Sequence, residues 1–151
     1  MRGMWKNVLP AVGLLVLLSA IPAMAQEETL DVNIPFSFIV ENTTLPAGQY
    51  VVTWPDINTP MVMEIRSEKG DHSVFALTFE DSLSSNQTAK SELVFDKVGK
   101  KEFLAQVWRE DSTTGYEVPR SKIEKLAEHN AAVKAHRHSV AAHHRPHKKV
   151  S

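Results

Sequence analysis

Six histidines crowd the end of this 151-residue chain, at positions 129, 136, 138, 143, 144 and 147, and no other residues in it are so evidently able to do chemistry. Imidazole nitrogen ligates zinc, copper and nickel, and its charge ordinarily changes close to neutral pH. Spacing decides what the cluster can hold. On a helix, His129, His136 and His143 would share one face but stand about 10 Å apart, too far to share an ion. Only His143 and His147 have a one-turn spacing, and Pro146 interrupts it. On an extended chain, His136 and His138 point the same way and can chelate together, with His143, His144 and His147 brought in by a flexible backbone. The expectation is adaptable capture of zinc, copper or nickel by His136, His138, His143, His144 and His147, with no cofactor required. The competing reading is a solvated basic extension that gains charge below about pH 6.5.

Elsewhere the chemistry thins out. The seventh histidine, His72, follows Asp71 in a short turn, where an exposed surface residue is expected. The chain has no cysteine, so no disulfide, thiolate metal site or thiol nucleophile can form. It carries no G-x-S-x-G elbow, no H-E-x-x-H helix and no phosphate-binding glycine loop. The residues therefore suggest a protein that is not an enzyme. A hydrolase would have to draw on carboxylates such as Asp56, Glu64, Glu80 and Asp81, beside the polar stretch from Glu80 to Lys90. The aromatics Tyr50, Trp54, Phe75, Phe79, Phe95, Phe103 and Trp108 could line a ligand cavity, but a domain of this size needs them to fill its core.

The framework that must position these groups starts with an export signal. Arg2 and Lys6 precede an apolar run from Val8 to Ile21, and Ala23-Met24-Ala25 forms a small-residue cleavage site. Residues 1–25 are thus expected to be removed, leaving a periplasmic or secreted protein that begins at Gln26 and has no transmembrane segment. The 126 residues that follow are enough for one domain. Charge divides them unevenly. Residues 26–128 hold ten Lys and Arg against eighteen Asp and Glu, whereas residues 129–151 hold five basic residues and no acid. The expected organisation is an acidic body over 26–128, able to fold alone, followed by a basic, His-rich, disordered tail over 129–151. Such a tail would meet an anionic envelope surface; nucleic acid is not an expected partner.

Apolar residues at every second position mark the body as strands. Leu30, Val32, Ile34, Phe36, Phe38 and Val40 alternate in a first strand, with Pro35 indicating an edge or a bulge. If Phe36 belongs to the core, Phe36→Ala should cost about 3 to 5 kcal/mol. Tyr50, Val52 and Trp54 form a second strand after a turn over Glu41 to Gly48. Met61, Met63 and Ile65 form a third, and Val74 to Phe79 a fourth. Further strands centre on Leu93 with Phe95 and on Phe103 to Trp108, and Gly115 to Pro119 brackets a short seventh. The pattern implies an all-β fold, a small antiparallel sandwich or barrel of about six or seven strands. Ser121-Lys122-Ile123-Glu124 has the form of a capping box, so a short C-terminal helix should begin near 121, with Ile123, Leu126 and Ala127 as its docking stripe.

Several of these segments together resemble a group of small exported bacterial β-domain proteins of unknown function. The residues concerned are Val32-x-Ile34-Pro35-Phe36-x-Phe38, Leu45-Pro46-Ala47-Gly48-x-Tyr50, Leu93-x-Phe95 with Gly99, and Phe103-Leu104 with Val107-Trp108. The resemblance implies a compact β domain of the bacterial envelope and carries no activity with it; Glu41 and Asn42 stand where a more glycine-like turn is expected. The functions in view are non-catalytic binding or an envelope-associated structural role, metal buffering by the tail, and an unrecognised hydrolase.

Overall fold

The structure is a computed structural model that describes residues 29–55, 61–81, 90–110, 112, 114–131 and 135–145. The export signal, His147 and most of the stretch from Glu80 to Lys90 therefore lie outside the described residues.

The alternating segments form strands, and the all-β expectation holds. In chain order they are β1 (Thr29–Ile34), β2 (Phe38–Val40), β3 (Thr43–Leu45), β4 (Gly48–Thr53), β5 (Val62–Ser67), β6 (Ser73–Leu77), β7 (Phe79–Asp81), β8 (Glu92–Val98), β9 (Lys101–Trp108), β10 (Gly115–Glu117) and β11 (His136–His144), with one helix, α1 (Lys122–Ala131), ahead of the last strand. The expected first strand is divided because Pro35 has no amide to donate. Beyond it all three residues of β2 are buried, so the alternation stops there.

Pairing bends the sheet into a barrel. β1 joins β4, β4 joins β5 and β5 joins β6, all antiparallel. Only Thr78 separates β6 from β7, and its amide still donates to Met61 O at 2.8 Å, so the two run on as one stave. β7 pairs with β10, β10 with β9, and β9 with β8. The circuit closes through β11, which lies between β8 and β1 and is antiparallel to both. The hairpin of β2 and β3 sits off this ring, joined to β9 by a parallel bridge at Ile39 and Phe103.

The barrel interior is lined by one apolar cluster. Trp54, Tyr50, Phe38, Phe95 and Leu93 are among the largest fully buried side chains, and they belong to one continuous cluster. Phe38 lies edge-on to Tyr50 at 5.1 Å and to Phe95 at 5.7 Å. Phe36 is only half-buried, edge-on to Phe95 at the margin of that cluster. Phe38→Ala should therefore carry the cost of about 3 to 5 kcal/mol that the sequence suggested for Phe36, and Phe36→Ala about 2 kcal/mol. Chemical denaturation of the two variants measures both. An equal loss would place Phe36 in the core after all.

A smaller cluster of Ile39, Val98 and Phe103 lies on the outer wall, covered by Ile123 and Ala127 of α1. The helix begins as its capping box requires, with the Glu124 amide donating to Ser121 Oγ at 3.1 Å. Leu126, expected in the docking stripe, is instead 60% exposed.

Two further expectations change. Phe75 and Phe79, assigned to the core, are 59% and 57% exposed, because β6 and β7 turn Ala76 and Thr78 inward. The domain also does not end at Glu128. His129 lies in the last turn of α1, and residues 136–144 of the expected tail form the closing stave. Pairing holds this segment in place, since without β11 the edges of β1 and β8 would both stand open.

Candidate functional site

Because β11 is a strand, its side chains alternate between two faces. His138, Val140 and Ala142 point toward the barrel, with His136 and His144 at the ends of the same row; Arg137, Ser139, Ala141 and His143 point away. His136 and His138 thus share a face, as an extended chain requires. His143 and His144 lie on opposite faces and cannot join them on one ion. His138 is already engaged. Its Nε2 lies 2.8 Å from Glu102 Oε2, its ring stacks on Phe95 at 5.9 Å, and Phe36 meets it edge-on at 5.3 Å. Lys97 Nζ reaches the other oxygen of Glu102 at 3.2 Å, which gives this buried carboxylate a cation on each side when His138 is protonated. Among the described residues, no group of three or more His, Cys, Asp or Glu side chains is placed to hold a metal ion.

The tail's fixed charges are also engaged. Arg137 grips Asp96 with two hydrogen bonds of 2.8 and 2.9 Å, and Arg145 holds Asp31 at 2.7 and 2.8 Å. Asp96 is only 3% exposed. The Arg137 hydrogen bonds hold its carboxyl below the usual carboxylate range, against the burial that pushes it up. Two of the five positive charges of this segment are therefore paired with carboxylates, although both arginine side chains stay about half exposed.

Among the described residues, a groove able to take a ligand lies elsewhere, where the Leu45-Pro46-Ala47-Gly48 turn meets the turn between β5 and β6. It encloses about 410 Å³ between residues 46–50 on one side and Ser67, Glu68, Lys69, Asp71 and His72 on the other. The two walls are tied at the base by the Glu68 amide, which donates to Gln49 O at 2.9 Å. The Tyr50 hydroxyl donates to Pro46 O at 2.7 Å, fixing the first turn from beneath; burial, with the Asp71 charge adding, pushes that phenol up.

On the opposite wall Ser67 Oγ donates to Asp71 Oδ1 at 2.5 Å, while the His72 amide donates to Ser67 Oγ at 3.2 Å. The Ser67 hydrogen bond, helped by the neighbouring His72, holds Asp71 below the usual carboxylate range, so the groove keeps a negative charge at neutral pH. Serine, aspartate and histidine are neighbours here without forming a nucleophilic relay. The hydroxyl proton goes to the carboxylate, and His72 Nε2 stands 3.7 Å from Asp71 Oδ2, so the ring does not serve as base to the serine. A shallower recess of about 100 Å³ continues the groove toward Asp31 and Arg145.

The turn motif was visible in the sequence, but its opposite wall was not, because Ser67 to His72 meets residues 46–50 only through the pairing of β4 with β5. His72 is exposed, as expected. Of the carboxylates considered for acid-base work, Glu64 accepts a hydrogen bond from Ser73 Oγ at 2.8 Å, Glu80 is exposed on β7, and Asp56 lies outside the described residues. At another place on the barrel, sequence reasoning missed the Arg109 guanidinium, which lies over the rings of Trp54 and Tyr116 at 5.6 and 4.9 Å and donates to the Tyr116 hydroxyl at 2.8 Å. Comparisons with protein-family models, with curated proteins and with solved structures found no match.

Proposed function

We propose that this chain is a non-catalytic binding protein of the bacterial envelope, exported by residues 1–25, with the groove between residues 46–50 and 67–72 as its ligand site. The observation that carries the reading is that groove: a concave surface of about 410 Å³ built on two hydrogen-bonded turns of the barrel. Asp71 and Glu68 on its rim outnumber Lys69 and favour a ligand with a positively charged group, such as an amine-bearing sugar or a short peptide. The serine bonded to a carboxylate rather than to a base supports binding without catalysis. Metal buffering has less support, since His138 is engaged by Glu102 and His143 and His144 diverge.

Gly48 supplies the test. A Cβ built there meets only Tyr50 Cε2, at an ordinary 3.7 Å, so Gly48→Trp can fill the groove without disturbing the backbone. Lysine amide, glucosamine and spermidine, titrated into ¹⁵N-labelled protein, should shift amides of residues 46–50 and 67–72, and those shifts should vanish in the variant. Glucose and succinate should do little. Shifts confined to β11, or none with any amine, would remove the groove from consideration.

A further inference from the structure

Six large apolar side chains stand exposed among the described residues, and four of them form one strip: Val62, Phe75, Leu77 and Phe79. Val62 lies opposite Leu77 in the β5–β6 ladder, and Phe75 and Phe79 flank Leu77 at two-residue spacing on the same face. The strip amounts to roughly 400 Å² of apolar surface, the size at which an exposed patch usually has a use.

Beside it lies an open backbone edge. β6 pairs with β5 on one side and has no strand partner on the other among the described residues. Strand geometry sends successive amides to opposite sides, and Thr78 N–H points to β5. Ser73, Phe75 and Leu77 therefore present their N–H and C=O groups to the open edge. Exposed edges are ordinarily blunted by lysine, proline or a bulge. The sequence Ser73-Val74-Phe75-Ala76-Leu77 has no lysine or proline, and its ladder to β5 runs without a bulge. One device is present. Glu41, in the turn between β2 and β3 at a φ of 54°, reaches across to accept the Leu77 N–H at 3.1 Å. A glutamate in the left-handed region is unusual, and this one closes a single donor of the edge.

A free main-chain edge is complementary to another extended polypeptide rather than to a lipid or a small molecule. The rim carries Glu41 and Glu64, and Arg66 is the one basic residue on β5, β6 and β7. A partner strand must therefore bring positive charge. A second copy of β6 brings none, and anionic lipid would be repelled by the same carboxylates. We propose that the open edge of β6 and its apolar strip dock an extended strand of a partner protein in which apolar and basic residues alternate, the incoming carbonyl displacing Glu41 from Leu77 N–H. This site is separate from the groove and does not depend on that reading.

The test uses the full chain and a hexapeptide probe of alternating Lys and Val, acetylated and amidated, against a Glu-Val counterpart. The Lys-Val probe should shift the amides of Ser73, Phe75 and Leu77 and slow their hydrogen exchange; the Glu-Val probe should not. Glu41→Ala should tighten binding by about threefold to tenfold by freeing the Leu77 donor, Phe75→Lys should weaken it at least about tenfold, and Gly48→Trp should leave it unchanged. Phe75 is mostly exposed, so its replacement leaves the core intact. Three results would overturn the proposal: probe shifts away from β6, broadening of β6 amides with protein concentration alone, which would mean a second copy, or vesicle binding that needs Phe75, which would mean a membrane.

Discussion

A chain ending at Glu128 should lose its cooperative unfolding transition or melt more than about 10 °C below the full-length protein, and should aggregate where the full-length protein stays soluble. Composition argues the opposite, since the break in charge at that residue looks like the end of a domain. The physical reason is the place of β11. It pairs with β8 from His136 to Ala141 and with β1 from Ala142 to His144, so its removal opens two long edges at once. It also strands charge. Asp96 is buried on β8 and loses Arg137, the cation hydrogen-bonded to it; Glu102 on β9 loses His138 but keeps Lys97. A buried carboxylate left without its cation costs about 3 to 5 kcal/mol, comparable with the whole stability of a small domain. Circular dichroism melts and light scattering on the two chains decide the matter. If the truncated chain melts within about 3 °C of the intact one, β11 is not the closing stave.

The strands were legible wherever a buried face and an exposed face differ in chemistry. Leu30, Val32 and Ile34 are buried and alternate with Asp31 and Asn33, and the structure follows that pattern. Alternation does not tell which face is inside when both are apolar. In β6 and β7 the larger set, Phe75, Leu77 and Phe79, faces outward and the smaller Ala76 and Thr78 face inward; period two is the same for either choice. The last stave was hidden for another reason. Its inward side chains, Val140 and Ala142, are too small to announce a core, and the groups that fix it lie far away in the chain. Arg137 is 41 positions from Asp96 and His138 is 36 from Glu102. Only barrel closure brings them together. The site divides in the same way: the Pro46 to Tyr50 turn is a local motif, whereas its opposite wall and the open edge of β6 are products of topology.

Stability should fall by about 2 to 3 kcal/mol as the pH rises from 4.5 to 7, and Glu124→Gln should remove that fall. Glu124 stands third in the helix's first turn, where its carboxylate accepts from the Ser121 backbone amide, and the fold presses it against the outer wall of the barrel until only 4% is exposed. Its other oxygen, Oε1, has no hydrogen-bond partner. Burial pushes the carboxyl up to about 7, and the carboxylates of Asp96 on β8 and Glu128 on α1 push the same way; Arg120 and the Ser121 amide oppose them only in part. Arg137 of β11 faces the same cluster, but its hydrogen bonds go to Asp96. The folded protein therefore holds the Glu124 proton more tightly than the unfolded chain, whose carboxyl titrates near its ordinary value of 4.5. A group with a raised folded pKa contributes its full stability below the unfolded value and loses it as the pH passes the folded one, so the window runs from 4.5 to 7. A shift of that size corresponds to about 3 kcal/mol, most of which is lost between pH 4.5 and pH 7. Asp96 acts in a different range. Its lowered carboxyl contributes stability that is lost only in stronger acid, as Arg137 gives up its partner. Glutamine at position 124 keeps a capping-box acceptor for the Ser121 amide but cannot ionise. Urea denaturation of both proteins from pH 4 to pH 8 should show parallel stabilities in acid and a more stable variant above pH 7. Identical pH profiles would mean that Glu124 stays ionised beneath the helix and that the pair of Asp96 with Arg137 compensates its charge.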